Sequence, residues 1–315
     1  MWQTIQDIFP YAIAYTIPLL IVALGGLYSE RSGVVNIGLD GLMIIGSFAG
    51  VMTVYLLPKN MPGVLWIGLI VATLAGMIFS LLHAFASINL KANQVISGTA
   101  INLMSGSLTI YLCNVIAKGS GRITMVKGLP RTDVPFLSDI PVIGPLFFTN
   151  VYPTTWVVLI ILILSTLLLY KTKFGLRLRA CGENPQAVAA AGVSVTKMRY
   201  FGVLASGALA GLGGAIMSMT YYGEFNGTVS GLGFLALAAL IFGQWKPLGI
   251  LASTFFFGFA TTIANVSQVI PSLATIPPLI LKVFPYIVTL LALIIFSKST
   301  QAPKAAGEPF DQGKR

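Results

Sequence analysis

Charge is scarce in this 315-residue chain: Asp and Glu together number 9, Lys and Arg 19, and histidine occurs once. With 56% hydrophobic and 9% charged residues and a mean hydropathy of +0.87, it lacks the polar surface of a soluble domain and reads as a polytopic membrane protein. The lone histidine, His83, has no Cys, His or carboxylate at ligand spacing around it, so no metal site is expected and His83 is read as a packing or hydrogen-bonding residue. Its isolation also leaves the serines and threonines without a base, which disfavours an intramembrane enzyme; no catalytic residue is assigned. No G-x-x-x-x-G-K-[ST] loop occurs, and no soluble stretch is long enough to hold an ATPase. Only two cysteines are present, Cys113 in an apolar run and Cys181 in a polar loop, so a disulfide between them would cross the bilayer and free thiols are expected. The N-terminus lacks the pattern of a removable signal peptide. The net +10 is dispersed rather than clustered, which excludes a nucleic-acid face and suits attraction to anionic lipid.

What is present is a series of apolar runs. Nine stretches approach or exceed the length needed to span a bilayer, near 11–28, 37–57, 64–90, 95–117, 152–170, 201–222, 231–245, 247–267 and 278–297, the seventh being short. The expected fold is therefore all-α and polytopic, with about nine transmembrane helices in a domain covering 1–297 and a cytoplasmic tail at 298–315. Trp2, Trp66, Trp156 and Trp245 all fall near run ends, as interfacial aromatics do. Basic residues set the orientation: the 171–199 loop carries Lys171, Lys173, Arg177, Arg179, Lys197 and Arg199 against Glu183 alone, which places it in the cytoplasm. Counting outward puts Arg31, Lys91, Lys246 and the tail on the same side, the N-terminus and the long 119–150 segment outside.

The 171–199 loop also contains a complete set of signals for one short helix. Asn184 suits the N-cap, Pro185 the first turn, and Gly192 the left-handed stop. A body of about two turns cannot persist alone in water, so packing must hold it. Its alanines, Ala187 and Ala190 among them, let another surface approach closely.

Polar residues at depth form the second group of candidates. Asp40 follows Gly33-Val34-Val35-Asn36-Ile37-Gly38 at the start of the second run; it is either an interfacial carboxylate paired with Arg31 or part of a glycine-broken helix start at a transport pathway. In the fourth run Gln94, Gly98, Asn102, Ser105 and Thr109 share one helical face, which is either interhelical glue or a pathway lining. The pathway candidates are Asn36, Asp40, Gln94, Asn102 and Ser105. In the sixth run Gly202, Ser206, Ala210 and Gly214 recur every four residues beside Gly207 and Gly211, the pattern of close helix packing in lipid. A faint echo links the segment before Asp40 to Gly227-Thr228-Val229-Ser230-Gly231-Leu232-Gly233, as two halves of an inverted repeat would be. Lys282, in the last run, has no assignable partner.

Three passages carry a family resemblance: Glu30-Arg31-Ser32-Gly33-Val34-Val35-Asn36-Ile37-Gly38-Leu39-Asp40-Gly41, the loop from Gly175 to Gly192 containing Arg179-Ala180-Cys181-Gly182-Glu183-Asn184-Pro185, and Ile241-Phe242-Gly243-Gln244-Trp245-Lys246-Pro247. Over residues 11–297 the chain resembles permease subunits of ATP-binding-cassette importers in the ribose and branched-chain amino-acid group, most of all nucleoside permeases. It differs at Asp40, where the resemblance leads one to expect Glu, and at Val188, where Ala is common and a roomier partner groove is expected.

The resemblance implies a coupling helix docking on a separate ABC ATPase, with Gly182, Glu183, Asn184, Pro185, Ala187, Ala190 and Gly192 at the contact. ATP and Mg would belong to that partner, and this chain would bind no cofactor. It further implies a second homologous permease subunit, an extracytoplasmic substrate-binding protein or lipoprotein, and residence in a bacterial inner membrane. Simple sugars and branched-chain amino acids are the alternative substrates. An ion-coupled secondary transporter is the alternative mechanism, for which only Asp40, Lys282 and His83 are candidate ionisable groups.

Overall fold

The computed structural model describes residues 2–266 except 59, 60, 118, 126 and 127, together with five positions between 279 and 287 and residues 301–311. Eleven helices are described: α1 (Trp2–Arg31), α2 (Leu39–Leu56), α3 (Val64–Ala84), α4 (Gln94–Ile116), α5 (Ile143–Phe147), α6 (Pro153–Lys171), α7 (Lys173–Glu183), α8 (Pro185–Ala190), α9 (Val195–Met217), α10 (Leu232–Phe242) and α11 (Pro247–Val266). α3 and α9 each run into a single π turn, at Phe85–Asn89 and Ser218–Tyr222.

Among the described residues seven helices are long and apolar enough to cross a membrane. Eight of the nine expected runs are helical, and the ninth, 278–297, lies outside the described residues apart from those five positions; Lys282 lies outside them too. The seventh run is the exception in length. α10 has only 11 residues, about 16 Å of helix against a hydrocarbon core of about 30 Å, so it reaches roughly halfway.

α9 sits against α1, α2 and α3, and the absence of side chains on its small residues permits this. A Cβ on Gly214 would overlap the Met43 carbonyl of α2, and one on Gly211 the Ala72 carbonyl of α3. Gly202 lies against Ser32 and the Tyr28 carbonyl at the end of α1, Ser206 and Ala210 are buried on the same side, and Gly207 meets Ser80 of α3. In lipid, where apolar burial does not draw helices together, such backbone proximity supplies the dispersion contacts that do.

The two ends of the bundle are distinct. At one end the end of α1, the α7–α8 loop, the α10–α11 turn and residues 301–311 gather. At the other, β1 (Ile123–Thr124) pairs antiparallel with β2 (Glu224–Phe225), Leu129 N–H donates to the Met219 carbonyl at 2.8 Å, and Tyr152 Oη donates to the Thr220 carbonyl at 2.9 Å. Arg131 lies over the Tyr11 and Tyr152 rings at 4.3 and 4.8 Å.

Gly214→Ala is expected to destabilise the fold by about 1–3 kcal/mol through overpacking, whereas Gly106→Ala, with open space around it, should be neutral or stabilising. Thermal unfolding of the two variants in detergent measures the contrast.

Candidate functional site

The α7–α8 loop is built by local capping at every step. Thr172 caps α7 by accepting from Gly175 N–H at 3.0 Å, and Asn184 caps α8 by accepting from Ala187 N–H at 3.0 Å, with Pro185 in the first turn. Gly192, at φ +77°, ends α8, with Gly192 N–H on the Ala189 carbonyl and Val193 N–H on the Val188 carbonyl at 3.0 and 3.2 Å. Ser194 then caps α9 through Lys197 N–H. Ala187 and Ala190 face outward, while Val188 is buried with Cys181 and Val195. The helix stop places Val188 against Val193 and turns it into this chain's own packing, at the floor of a cleft also lined by Ala187 and Ala191. Burial pushes the Cys181 thiol up to about 11, opposed in part by the Arg199 cation, so it is protonated at neutral pH.

The loop is fastened to the rest of the bundle through Arg31. Its guanidinium lies 3.6 Å from the Glu183 carboxylate and donates through Nη2 to the Trp245 carbonyl at 2.9 Å. Tyr170 Oη donates to the same carbonyl, and Trp245 Nε1 donates to Glu30. Gly182 packs directly on the Arg31 carbonyl. Gln244 and Trp245 both hold positive φ, 53° and 52°, a strained turn that these contacts keep in place. The three passages behind the resemblance, more than 200 residues apart at the extremes, thus meet at one end of the bundle. Trp245 is buried here rather than anchored at the headgroup layer.

Residues 32–38, the lead-in to α2, are irregular backbone inside the bundle. Their polar groups are met by side chains from four different helices. Ser29 of α1 donates to the Val34 carbonyl at 2.7 Å, and Val35 N–H donates to Gln94 Oε1 at 2.7 Å. The Val35 carbonyl accepts from His83 Nε2 at 3.1 Å, which leaves Nδ1 to accept from Ser97 at 3.0 Å. Asn36 donates to Ser206 at 2.9 Å and accepts from Gly38 N–H at 3.1 Å. Asn102 accepts from Gly41 N–H at 2.7 Å and donates to the Ile37 carbonyl at 3.0 Å.

Asp40 completes the arrangement. Its Oδ1 accepts from Gly233 N–H at 2.9 Å, so a residue in the first turn of α2 caps the first turn of α10. Two helix N-termini, each led in by irregular backbone, meet at this carboxylate, which the partial positive charge of both ends favours. Asp40 has no pairing with Arg31, which is committed to Glu183 and Trp245 at the end of the bundle. Of the pathway candidates, Asn36, Asp40, Gln94 and Asn102 are brought together around the two lead-ins. Ser105 bonds within α4, to the Ile101 carbonyl at 2.7 Å, with its hydroxyl beside Gly41. Among the described residues Gln94 keeps one buried amide nitrogen without a hydrogen bond, beside a cavity of about 330 Å³ also lined by Val35, Lys91, Gly307 and Pro309.

Arg31, Glu30 and Trp245 form a unit that residue spacing alone does not reveal. The signal was present in their place within the quoted motifs, but the contacts joining them are too distant in sequence to be read from spacing.

Interrupted helices meeting inside a multi-pass bundle, with a capped surface helix at one end, define a transmembrane permease. The chain belongs to the family described as "Branched-chain amino acid transport system / permease component", which matches residues 9–293. It is 42% identical to the guanosine ABC transporter permease protein NupQ of Bacillus subtilis and 41% identical to the nucleoside ABC transporter permease protein NupC of Lactococcus lactis, each over 99% of both chains. It is 32% identical to a putative glucose ABC transporter permease protein, TsgC13, of Haloferax volcanii over 87% of both chains.

Asn102→Ala leaves the Gly41 N–H and the Ile37 carbonyl unmet and is expected to cost about 1–3 kcal/mol, with Asn102→Asp, which keeps the acceptor but sets a carboxylate oxygen against the Ile37 carbonyl, costing at least as much. Melting temperatures of the purified variants give the order. Cys181 should resist maleimide at neutral pH in the folded chain and label fully in denaturant.

Proposed function

We propose that this chain is the membrane-spanning permease subunit of an ATP-driven importer for nucleosides, with the 171–199 loop and the tail in the cytoplasm of a bacterial cell. The observation that carries this reading is the fully capped α8, which turns Ala187 and Ala190 outward while Glu183 ties its base to Arg31. A helix this short, held at both ends and smooth on its outer side, is suited to sit in a groove on another subunit. Full-length similarity to permeases named for guanosine and nucleosides supports the substrate class.

In this mechanism ATP and Mg bind on the partner ATPase, and closure of that partner pushes α8. Through Glu183, Arg31 and Trp245 the push reaches the end of α1 and the α10–α11 turn, and so both helices that meet at Asp40. α10 and the α2 lead-in are then the counterpart pieces of an inverted repeat, entering the bundle from opposite ends. The pathway runs beside α4, between this chain and a second permease, and an extracytoplasmic binding protein delivers substrate to the end that carries β1 and β2. A simple sugar is the second reading of the substrate, favoured by the similarity to a relative named for glucose.

Glu183→Lys combined with Asn184→Pro removes both the Arg31 pairing and the α8 cap. In a reconstituted complex it should abolish uptake of labelled guanosine while the permease still purifies as a folded membrane protein; import at the wild-type rate would show that α8 does not couple. Competition by unlabelled nucleosides but not by ribose or leucine is the expected substrate pattern, and competition by ribose alone would move the assignment to sugars.

A further inference from the structure

Residues 301–311 lie across the end of the bundle and bond to the base and body of the α7–α8 loop, the α2 lead-in and the α10–α11 turn. Ala305 N–H donates to the Gly182 carbonyl at 2.8 Å and Gly307 N–H to the Gly33 carbonyl at 3.3 Å, joining the base of the coupling loop to the α2 lead-in. Gln186 of α8 donates to the Asp311 carbonyl at 2.8 Å, and the Asp311 carboxylate pairs with Lys91 of the α3–α4 turn at 3.3 Å. Gln301 N–H donates to Gln244 of the α10–α11 turn at 3.2 Å.

Arg199, 1% exposed at the start of α9, donates to the Glu308 carbonyl at 2.9 Å, and its Nε and Nη2 make no hydrogen bond among the described residues. A buried guanidinium that draws on this segment for a partner makes the seating specific rather than incidental. Phe310 packs on the cluster of Cys181, Val188 and Val195 beneath α8. Between the segment and α8 a cleft of about 740 Å³ remains open, its walls carrying Lys91, Lys304, Glu183 and Glu308.

We infer that residues 301–311 form a positioning strap, which holds α8 in register with the α2 lead-in and carries its movement there alongside the Arg31 contact. This rests on the importer reading for what α8 does, but not for where the strap sits. Among the described residues the base of α8 has one ion pair to the bundle, from Glu183 at the end of α7 to the buried Arg31, and it holds that base at a single point. The strap adds hydrogen bonds at Gly182 and at Gln186, so that the base and the body of the loop move together with Gly33.

The test compares the full chain, a chain ending at residue 300, and the charge reversals Lys91→Asp, Asp311→Lys and both together. Two readouts are taken: maleimide labelling of Cys181 in the purified permease, and guanosine uptake per ATP hydrolysed in the complex. The shortened chain should label at Cys181 and lose uptake per ATP by about five-fold, the lower range of coupling between sites, with hydrolysis retained. Each single reversal should lower uptake per ATP about two-fold at unchanged melting temperature, as expected for one exposed ion pair, and the double reversal should restore it. Wild-type uptake per ATP in the shortened chain overturns the strap. If the shortened chain does not fold, single reversals at the wild-type ratio overturn it equally. Failure of any ATPase to purify with the full chain overturns the importer reading, and the Cys181 labelling still decides the seating.

Discussion

Non-helical backbone inside a membrane must have its N–H and C=O groups met by protein, because lipid offers no hydrogen bonds. Much of this structure answers that demand at one place. The lead-in to α2 breaks helical geometry over 32–38, and Ser29, His83, Gln94, Asn102 and Ser206, on four helices, converge on it. Those helices must approach closely to bring such short side chains within reach. The small residues of α9 make that approach sterically open, so the glycine ridge and the polar groups are two parts of one requirement.

Asp40 extends the same logic to the second broken helix. By capping α10 it makes the position of one helix start depend on the other, so neither can shift without disturbing a buried carboxylate. Rigid pieces joined at few, strong points favour discrete arrangements over gradual deformation. Arg31 plays the corresponding part at the end of the bundle, where it bonds to the α7–α8 loop and to the α10–α11 turn at once. A charge there would be costly if unmatched, and it is matched only when both neighbours are in place.

Local features were legible in the sequence and distant ones were not. Asn184, Pro185 and Gly192 specify α8 through interactions spanning a few residues, and the structure shows each in the expected geometry. The spans were legible because crossing a bilayer fixes a minimum apolar length, although α10 shows that a run can be apolar and still stop halfway. The shared face of Gln94, Asn102 and Ser105 was readable from helical periodicity; which backbone it serves was not, because Asn102 and Gly41 are 61 residues apart. The burial of Val188 was not legible, since its environment depends on Cys181 and Val195, brought in by two other helices. Asp40 and Arg31 looked like neighbours in sequence and are assigned to different partners by the fold.

The opposite end of the molecule has its own consequence. β1 is paired to β2 and Leu129 is held by Met219, so the segment between α4 and α6, closed on itself by the Thr132–Val151 bridge, is stitched to the far end of α9. Anything that alights there encounters a surface already shaped, and its association forfeits little conformational freedom on this side of the contact. Because the seam runs to α9, tilting of that helix would carry this surface with it as one piece.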